Sequence, residues 1–173
     1  LEDLFLSTKV PNLFLAPANS LLSGAHLELA TVLDREQVLR QAIKRLTPRF
    51  HYLLIDCSPS LNLLTINALT AADYCLIPVQ PHYYALEGMK ELFSTLDLIR
   101  ERFNPGLRLL GILPVLVDGR AQVTREILGQ IQDYFQGQVM ETTIRLSAKL
   151  IESTIVGQPV QLYATRSAGS QDY

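Results

Sequence analysis

Apolar and polar positions alternate along this chain in blocks that predict short strands and amphipathic helices. The clearest strand candidate is the apolar run YLLI at residues 52–55, which ends at Asp56 and is followed by a Ser-Pro-Ser turn. A short continuous apolar run bounded by turn residues is typical of a strand that is buried on both faces. We therefore expect a central buried strand over residues 51–55, with Asp56 at its carboxyl end.

Elsewhere, helices are expected where apolar residues recur every three or four positions, and strands where short apolar runs meet turn residues. The resulting alternation of strands and helices predicts an α/β fold with a doubly wound, mostly parallel sheet, in a single domain covering residues 1–173. The last ten residues are expected to be a loop. The expected helices are residues 25–46, 61–72, 85–103, 122–136 and 149–156. The expected extended segments are residues 12–18 (a short strand and a turn), 74–79, 107–117, 139–144 and 159–163.

Composition and charge indicate a globular protein and exclude several other classes. Hydrophobic residues make up 48% and charged residues 18% of the 173 positions, which is not the composition of a disordered chain. No apolar run approaches the ~20 residues that a membrane helix needs. The net charge of −2 gives no sign of nucleic-acid binding, which would require a local basic patch. Cys57 and Cys75 are interpreted as small, reduced, buried residues of a cytosolic protein.

The loops that follow the strands carry the candidate chemistry, because the carboxyl ends of parallel strands meet at one edge of a sheet. In P-loop NTPases an aspartate placed like Asp56 is the Walker-B residue, which helps to hold Mg²⁺ on the nucleotide phosphates. An aspartate that ends a strand is also a common turn starter, so both interpretations stay open. The sequence contains no G-x-x-x-x-G-K-[ST] and no G-x-G-x-x-G motif. Either a phosphate loop lies upstream of Leu1, or the protein does not use nucleotides.

Other polar residues give weaker signals. The three histidines are scattered, and His82 has the most weight because it lies in a loop at the expected sheet edge. No two histidines or carboxylates have the spacing of a metal site. Four basic residues of the C-terminal third could gather on one face, although a solvated face is the default interpretation. They are Arg120, Arg125, Lys149 and Arg166.

Several stretches of the chain, taken together, carry a family resemblance. The most specific are YLLIDCSPSL at 52–61, LTINALTAAD at 64–73, IPVQ at 77–80 and YYALEG at 83–88. They resemble the ParA/Soj family of partition ATPases, which belong with MinD to the deviant-Walker-A branch of P-loop NTPases. Residues 11–33, GQPV at 157–160 and YATRS at 163–167 extend the resemblance over almost the whole chain.

The resemblance implies an ATP-dependent partitioning protein that needs Mg²⁺. In this family two protomers sandwich ATP, the ATP-bound homodimer binds non-specific DNA, and a ParB-like or cargo-adaptor protein stimulates hydrolysis to ADP and phosphate. The cycle positions plasmid, chromosome or protein cargo, so we expect a cytoplasmic, nucleoid-associated protein that does not bind membranes. The first strand, the phosphate loop and its lysines have no match here. We therefore expect an internal, N-terminally truncated piece that is inactive alone.

The resemblance also assigns roles to individual residues. Asp56 takes the Walker-B position, with a catalytic role and contact to Mg²⁺ through water. The nucleotide-binding residues would be Asp56, Pro59 and Ser60 in the first turn and Val115, Arg145, Leu146 and Ser147 near the adenine. Three of these depart from the family pattern, since Val115 replaces a Thr or Asn, Arg145 a proline and Ser147 an asparagine. Arg120 and Lys149 are assigned to DNA.

Three alternatives remain open at this point. The first is a ParA-like interaction module without a phosphate loop, which would bind partners but catalyse nothing. The second is a MinD-like ATPase that cycles on membranes, for which the chain shows no C-terminal amphipathic basic helix. The third, a dinucleotide-dependent oxidoreductase, lacks its glycine fingerprint. Whether this chain is an enzyme is therefore left open by the sequence.

Overall fold

The computed structural model describes residues 4–46, 49–58 and 60–173. The chain divides into two compact units, and each is described here by itself. The first unit comprises residues 1–73 and 95–107, and the second comprises residues 74–94 and 108–173. The expectation of a single domain over residues 1–173 stays a prediction.

The first unit opens with a short antiparallel hairpin. Strand β1 (Leu6–Ser7) pairs with strand β2 (Phe14–Leu15). The Thr8 hydroxyl donates a 2.9 Å hydrogen bond to the Leu13 carbonyl across the turn. Asn12 adopts a φ of 62°, in the left-handed region that asparagine tolerates better than most residues. The strand expected within residues 12–18 is therefore only two residues long.

Residues 25–46 do not form the single helix that the apolar spacing predicts, so that prediction is wrong. Helix α1 (Ala25–Glu28) runs into a 3₁₀ turn, and helix α2 (Val38–Ile43) begins only after a break. In the break, Val32 is extended, with φ of −82° and ψ of 128°, and Asp34 is left-handed, with φ of 53°. A right-handed helix cannot pass through either conformation. The apolar spacing continues across this break, so the sequence pattern alone does not predict where the helix is interrupted.

Helix α3 (Leu63–Ala71) agrees with the helix expected at residues 61–72. It begins at Asn62, whose side-chain oxygen accepts hydrogen bonds from the Leu64 and Thr65 N–H groups at 3.0 and 3.1 Å. Asparagine is among the best residues for capping the first turn of a helix in this way. The beginning of α3 is thus determined by a local side-chain cap.

A second asparagine on α3 anchors the irregular segment to this helix. The Asn67 side-chain amide is 3% exposed and donates to the Arg35 and Leu63 carbonyls at 2.8 and 3.0 Å. Its oxygen accepts a hydrogen bond from the Leu39 N–H at 3.1 Å. The bonds to Arg35 and Leu39 satisfy main-chain groups of the irregular segment, and the bond to Leu63 lies within α3.

A third asparagine closes the other end of α3. The buried Asn104 side chain donates to the Leu69 and Ala72 carbonyls at 3.0 and 2.8 Å. Asn104 closely follows helix α4 (Ala85–Arg102), whose second half belongs to the first unit. Helix α3 is therefore held at its start, its middle and its end by amide side chains.

Residues 51–58 form no regular strand in the structure, so the prediction of a buried central strand there is wrong. The side chains of Tyr52 and Leu54 are 88% and 95% exposed, and Cys57, which was expected to be buried, is exposed as well. A strand is defined by main-chain hydrogen bonds to a neighbouring strand. Among the described residues of the first unit, the only paired strands are those of the N-terminal hairpin.

The second unit is built on parallel pairing. Strand β3 (Tyr74–Val79) lies parallel to β4 (Arg108–Pro114), with an irregularity after Cys75 that places Leu76 opposite Gly111. The strand expected at 139–144 appears as two isolated parallel bridges, from Ile112 to Val139 and from Val117 to Arg145. The parallel sheet and the α/β class expected from the sequence are confirmed.

Helix α5 (Gln122–Tyr134) buries Ile127 and Ile131 on one face, and Ile131 is fully buried. Just after α5, the Phe135 ring stacks on Phe93 of α4 with 4.8 Å between centroids. The amphipathic helix expected at residues 122–136 is therefore confirmed, and its apolar face is buried.

Three helices complete the second unit: α6 (Ala148–Val156), α7 (Val160–Tyr163) and α8 (Ala168–Asp172). The expected extended segment at residues 159–163 and the expected C-terminal loop are therefore both wrong. Helices of four or five residues contain about one turn, so no apolar periodicity can develop in them. Helix α6 ends at Gly157, which is left-handed with φ of 67°. In the described part of the chain, no helix is long and apolar enough to span a membrane.

Replacing Asn67 by alanine is expected to lower the free energy of unfolding by about 1–3 kcal/mol, because the Arg35 carbonyl and the Leu39 N–H would lose their partner. Urea unfolding followed by circular dichroism measures the loss. The matched control is Gln130→Ala, an exposed amide on α5 for which a change below about 0.5 kcal/mol is expected. Equal losses in both variants would contradict this role of Asn67.

Candidate functional site

The first unit contributes the segment around Asp56. The Asp56 side chain is exposed, and the Ser58 and Ser60 hydroxyls after it lie 2.8 Å apart. The Ser60 carbonyl accepts a 2.7 Å hydrogen bond from the Thr65 hydroxyl in the first turn of α3. Pro59 lies outside the described residues. The structure thus places a solvent-accessible carboxylate four residues before Ser60, whose carbonyl is anchored to helix α3.

The metal-binding capacity of this segment is limited to one carboxylate. Among the described residues, no group of three or more His, Cys, Asp or Glu side chains is arranged to hold a metal ion. Mg²⁺ keeps several waters and commonly takes only one or two carboxylates together with substrate phosphates. Asp56 therefore fits a water-mediated contact to Mg²⁺ carried by a phosphate ligand, and does not fit a metal site made of protein groups alone.

The second unit contributes two loops that leave the sheet side by side. The Val117 N–H donates to the Ile144 carbonyl at 3.0 Å, and the Leu146 N–H donates to the Val117 carbonyl at 3.1 Å. Val115 is tied to β3, since its N–H donates to the Val79 carbonyl at 2.8 Å. These bonds bring the four residues expected near the adenine into one region of the second unit: Val115, Arg145, Leu146 and Ser147.

Arg145 forms an ion pair with an aspartate that the sequence did not single out. Its Nε and Nη2 atoms donate to the Asp172 carboxylate at 2.9 and 2.6 Å, and its backbone N–H donates to Asp172 Oδ2 at 2.9 Å. These bonds hold the pKa of Asp172 below its usual range and raise the pKa of Arg145. The two residues are 27 positions apart, and no sequence pattern links them.

Lys149, one of the two residues expected to contact DNA, has a counter-ion within its own helix. Its Nζ lies 2.6 Å from Glu152 Oε2, and the Tyr163 hydroxyl donates to the same oxygen at 3.0 Å. The shared hydrogen bonds raise the pKa of Lys149 and of Tyr163, and lower the pKa of Glu152. The i,i+3 spacing of Lys149 and Glu152 is a signal that could have revealed this pair from the sequence.

The basic residues of the second unit gather only in part. Lys149 and Arg166 line the same open cavity of about 400 Å³, together with Tyr163 and Ser167. Arg120 lies in the turn after β4, where its N–H donates to Asp118 Oδ1 at 3.0 Å. Because that turn follows Val117 and Lys149 follows Leu146, the two residues expected to bind DNA lie on neighbouring segments, Arg120 in a turn and Lys149 at the start of helix α6.

The comparisons with known proteins cover the whole chain. A family described as an AAA domain matches residues 1–109. The chromosome partitioning protein ParA of Myxococcus xanthus is 40% identical over the entire chain, which spans 61% of that protein. The sporulation initiation inhibitor protein Soj of Bacillus subtilis is 39% identical over 99% of the chain, which spans 68% of it. This chain belongs to the ParA/Soj family.

Solved structures agree with this assignment. A cobyrinic acid a,c-diamide synthase from Mycobacterium smegmatis with a bound ATP analog and magnesium is 30% identical, with a TM-score of 0.86 over 99% of this chain and 63% of that one. An ATP complex of McdA from Cyanothece has a TM-score of 0.87 at 19% identity, over 99% of this chain and 67% of that one, and shows a shared fold alone. This ParA/Soj chain thus spans roughly two thirds of the length of its relatives and has the α/β fold of P-loop ATPases.

Replacing Glu152 by glutamine is expected to lower the pKa of Tyr163 towards that of a free tyrosine. The neutral phenol donates to the Glu152 carboxylate, and ionising it would place two negative charges together, so the carboxylate now raises that pKa. A pH titration of tyrosine ¹³Cζ signals measures the change, with Tyr163→Phe assigning the resonance. Glu126→Gln, on α5, serves as the charge-matched control, and an unchanged Tyr163 titration in Glu152→Gln would refute the shared hydrogen bond.

Proposed function

We propose that this chain forms the body of an ATP-dependent partitioning protein that cycles on and off non-specific DNA and positions plasmid, chromosome or protein cargo. The supporting observation is 39–40% identity to ParA and Soj along essentially the whole chain. The complete gene product would hydrolyse ATP to ADP and phosphate as a homodimer, and a ParB-like or cargo-adaptor protein would stimulate it. It would act in the cytoplasm on the nucleoid.

In this proposal the first unit supplies the residues that act on the phosphates. Asp56 holds Mg²⁺ through water, and Pro59 and Ser60 form the turn that responds to the nucleotide. The bound Mg²⁺ would neutralise charge on the phosphates during transfer to water. The exposed Asp56 carboxylate and the anchoring of Ser60 to α3 support this assignment.

The second unit would supply the residues around the adenine. Val115, Leu146 and Ser147 are held near one another by the main-chain bonds of Val115 and Val117. Arg145 belongs to the same segment, but the Asp172 carboxylate occupies its Nε and Nη2 donors. We therefore assign Arg145 a contact through its main chain or its aliphatic stem, rather than through its charge.

DNA binding is assigned to Arg120 and Lys149, with Arg166 as a third cation beside Lys149. Contacts between such side chains and DNA phosphates release counter-ions, which makes binding strongly dependent on salt. Lys149 must give up its ion pair with Glu152 to contact a phosphate, so Arg120 and Arg166 are expected to contribute more.

This chain by itself is expected not to bind Mg·ATP at micromolar affinity, because it has no phosphate loop to surround the β- and γ-phosphates. Isothermal titration calorimetry tests this expectation directly. The chromosome-partitioning ATPase Soj of Treponema pallidum, 36% identical, is the positive control under the same conditions. Micromolar binding by this chain would show that its own residues suffice.

In the complete gene product, Arg120→Glu combined with Lys149→Glu is expected to weaken ATP-dependent DNA retention at least tenfold and to reduce the salt slope by about 1–2. Glu152→Gln is expected to act in the opposite direction, because it releases Lys149 from its counter-ion. Arg108→Glu, at the opposite end of β4, is the control for a single charge reversal and is compared with Arg120→Glu alone. Retention that is unchanged in the double variant, with or without ATP, would refute this DNA surface.

Sequencing the gene upstream of the codon for Leu1 separates the proposal from its main alternative. A Lys-Gly-Gly-x-Gly-Lys-[Ser/Thr] loop within roughly one βαβ unit supports a working ATPase, with Asp56 as its Mg²⁺ residue. An upstream region without that loop would favour a ParA-like interaction module in which Asp56 is only a turn residue.

A further inference from the structure

The C-terminal helix α8 is attached at two points to residues 145–150, the segment that leaves the sheet beside Val117. At the first point, the Asp172 carboxylate accepts hydrogen bonds from the Arg145 backbone N–H and from its guanidinium. At the second, Gly169 is buried, and a Cβ added there would lie 2.8 Å from Leu150 Cγ and 3.2 Å from Ser147 Oγ. Only glycine allows helix α8 to approach residues 147–150 so closely.

The Asp172–Arg145 contact differs from an ordinary surface ion pair. Exposed pairs contribute little because two long side chains must be ordered to form them. Here the Asp172 side chain is only 10% exposed, and its Oδ2 accepts from the Arg145 main-chain N–H as well as from the mobile Arg145 side chain. A carboxylate that accepts from a backbone N–H fixes the path of the chain itself.

The main chain that Asp172 fixes is at Arg145, where the segment leaves the sheet. On one side of Arg145, the Leu146 N–H is bonded to the Val117 carbonyl, and on the other the Ile144 carbonyl accepts from the Val117 N–H. The Arg145 N–H points away from that pairing, to Asp172. Residues 144–146 are therefore held from both sides, by the sheet and by helix α8.

We infer that Asp172 is a positioning residue for the nucleotide base: it holds residues 145–147 in the one conformation in which they can pack against adenine. This inference rests on the proposed function, because it assumes that residues 145–147 face the base. It makes helix α8 part of the base-recognition apparatus, although none of its residues needs to touch the nucleotide.

The hold on the main chain can be measured without any nucleotide. Hydrogen–deuterium exchange of this chain is expected to be at least tenfold faster at residues 145–150 in Asp172→Asn than in the wild type, with β3 and α5 unchanged. Arg145→Ala keeps the backbone bond to Asp172 and is expected to have a smaller effect. Asp133→Asn, an exposed aspartate on α5, is the matched control. Unchanged exchange at residues 145–150 in Asp172→Asn would overturn the inference.

The role in base positioning is tested in the complete gene product with two ligands. Asp172→Asn is expected to weaken Mg·ATP binding about tenfold and to leave the binding of Mg·tripolyphosphate, which has no base, unchanged. An equal loss for both ligands would indicate a general folding defect and would overturn the inference, as would unchanged ATP binding. If the wild-type gene product binds no ATP, the proposed function itself fails and the base role with it, while the exchange data still show whether Asp172 holds residues 145–147.

Discussion

The second unit depends on main-chain pairing between β4 and the residues that follow α5. Val117 bonds to both neighbours of Arg145 through its N–H and its carbonyl, and Ile112 does the same around Val139. Ile112, in one of these bridges, and Ile144, next to the other, are both buried, so a shift of the register by one residue would move them away from the core. With the register set, the turn that carries Arg120 and the helix that carries Lys149 must leave the sheet next to each other.

In the first unit, many of the described residues lie outside helices and strands, so their main-chain groups need other hydrogen-bond partners. Asn62, Asn67 and Asn104 supply donors and acceptors to main-chain groups that no helix or strand satisfies. A main-chain polar group that is shielded from water and has no partner is costly, so these amides allow residues 35–39 to be irregular where they contact α3, and they satisfy main-chain groups at both ends of that helix. The ordered first turn of α3 in turn anchors Ser60, four residues beyond Asp56.

The sequence predicted those elements whose apolar period extends over several turns or a full strand, namely α3, α4, α5, α6, β3 and β4. It failed where conformation depends on single residues, as at the left-handed Asp34, or where a helix has one turn, as at α8. It also failed at residues 51–55, whose apolar character says nothing about a hydrogen-bonding neighbour. The candidate site shows the same division: Asp56 and residues 145–147 could be read from motifs, whereas Asp172 acts on Arg145 across 27 positions.

The ion pair between Lys149 and Glu152 has a consequence for any polyanion that approaches the open cavity. A polyanion that binds Lys149 replaces Glu152 as its negative partner, so the net gain in binding free energy is the difference between two similar attractions. Fewer condensed counter-ions are then released from the polyanion than the number of contacting cations suggests. In the proposed DNA-binding role, Lys149 would therefore add less affinity than a cation without a counter-ion. Arg166, in the same cavity, has no ion-pair partner among the described residues and would carry the larger share of the affinity. In the DNA-binding role proposed for these residues, Arg166 would therefore supply the stronger contact and Lys149 the one that is more easily exchanged.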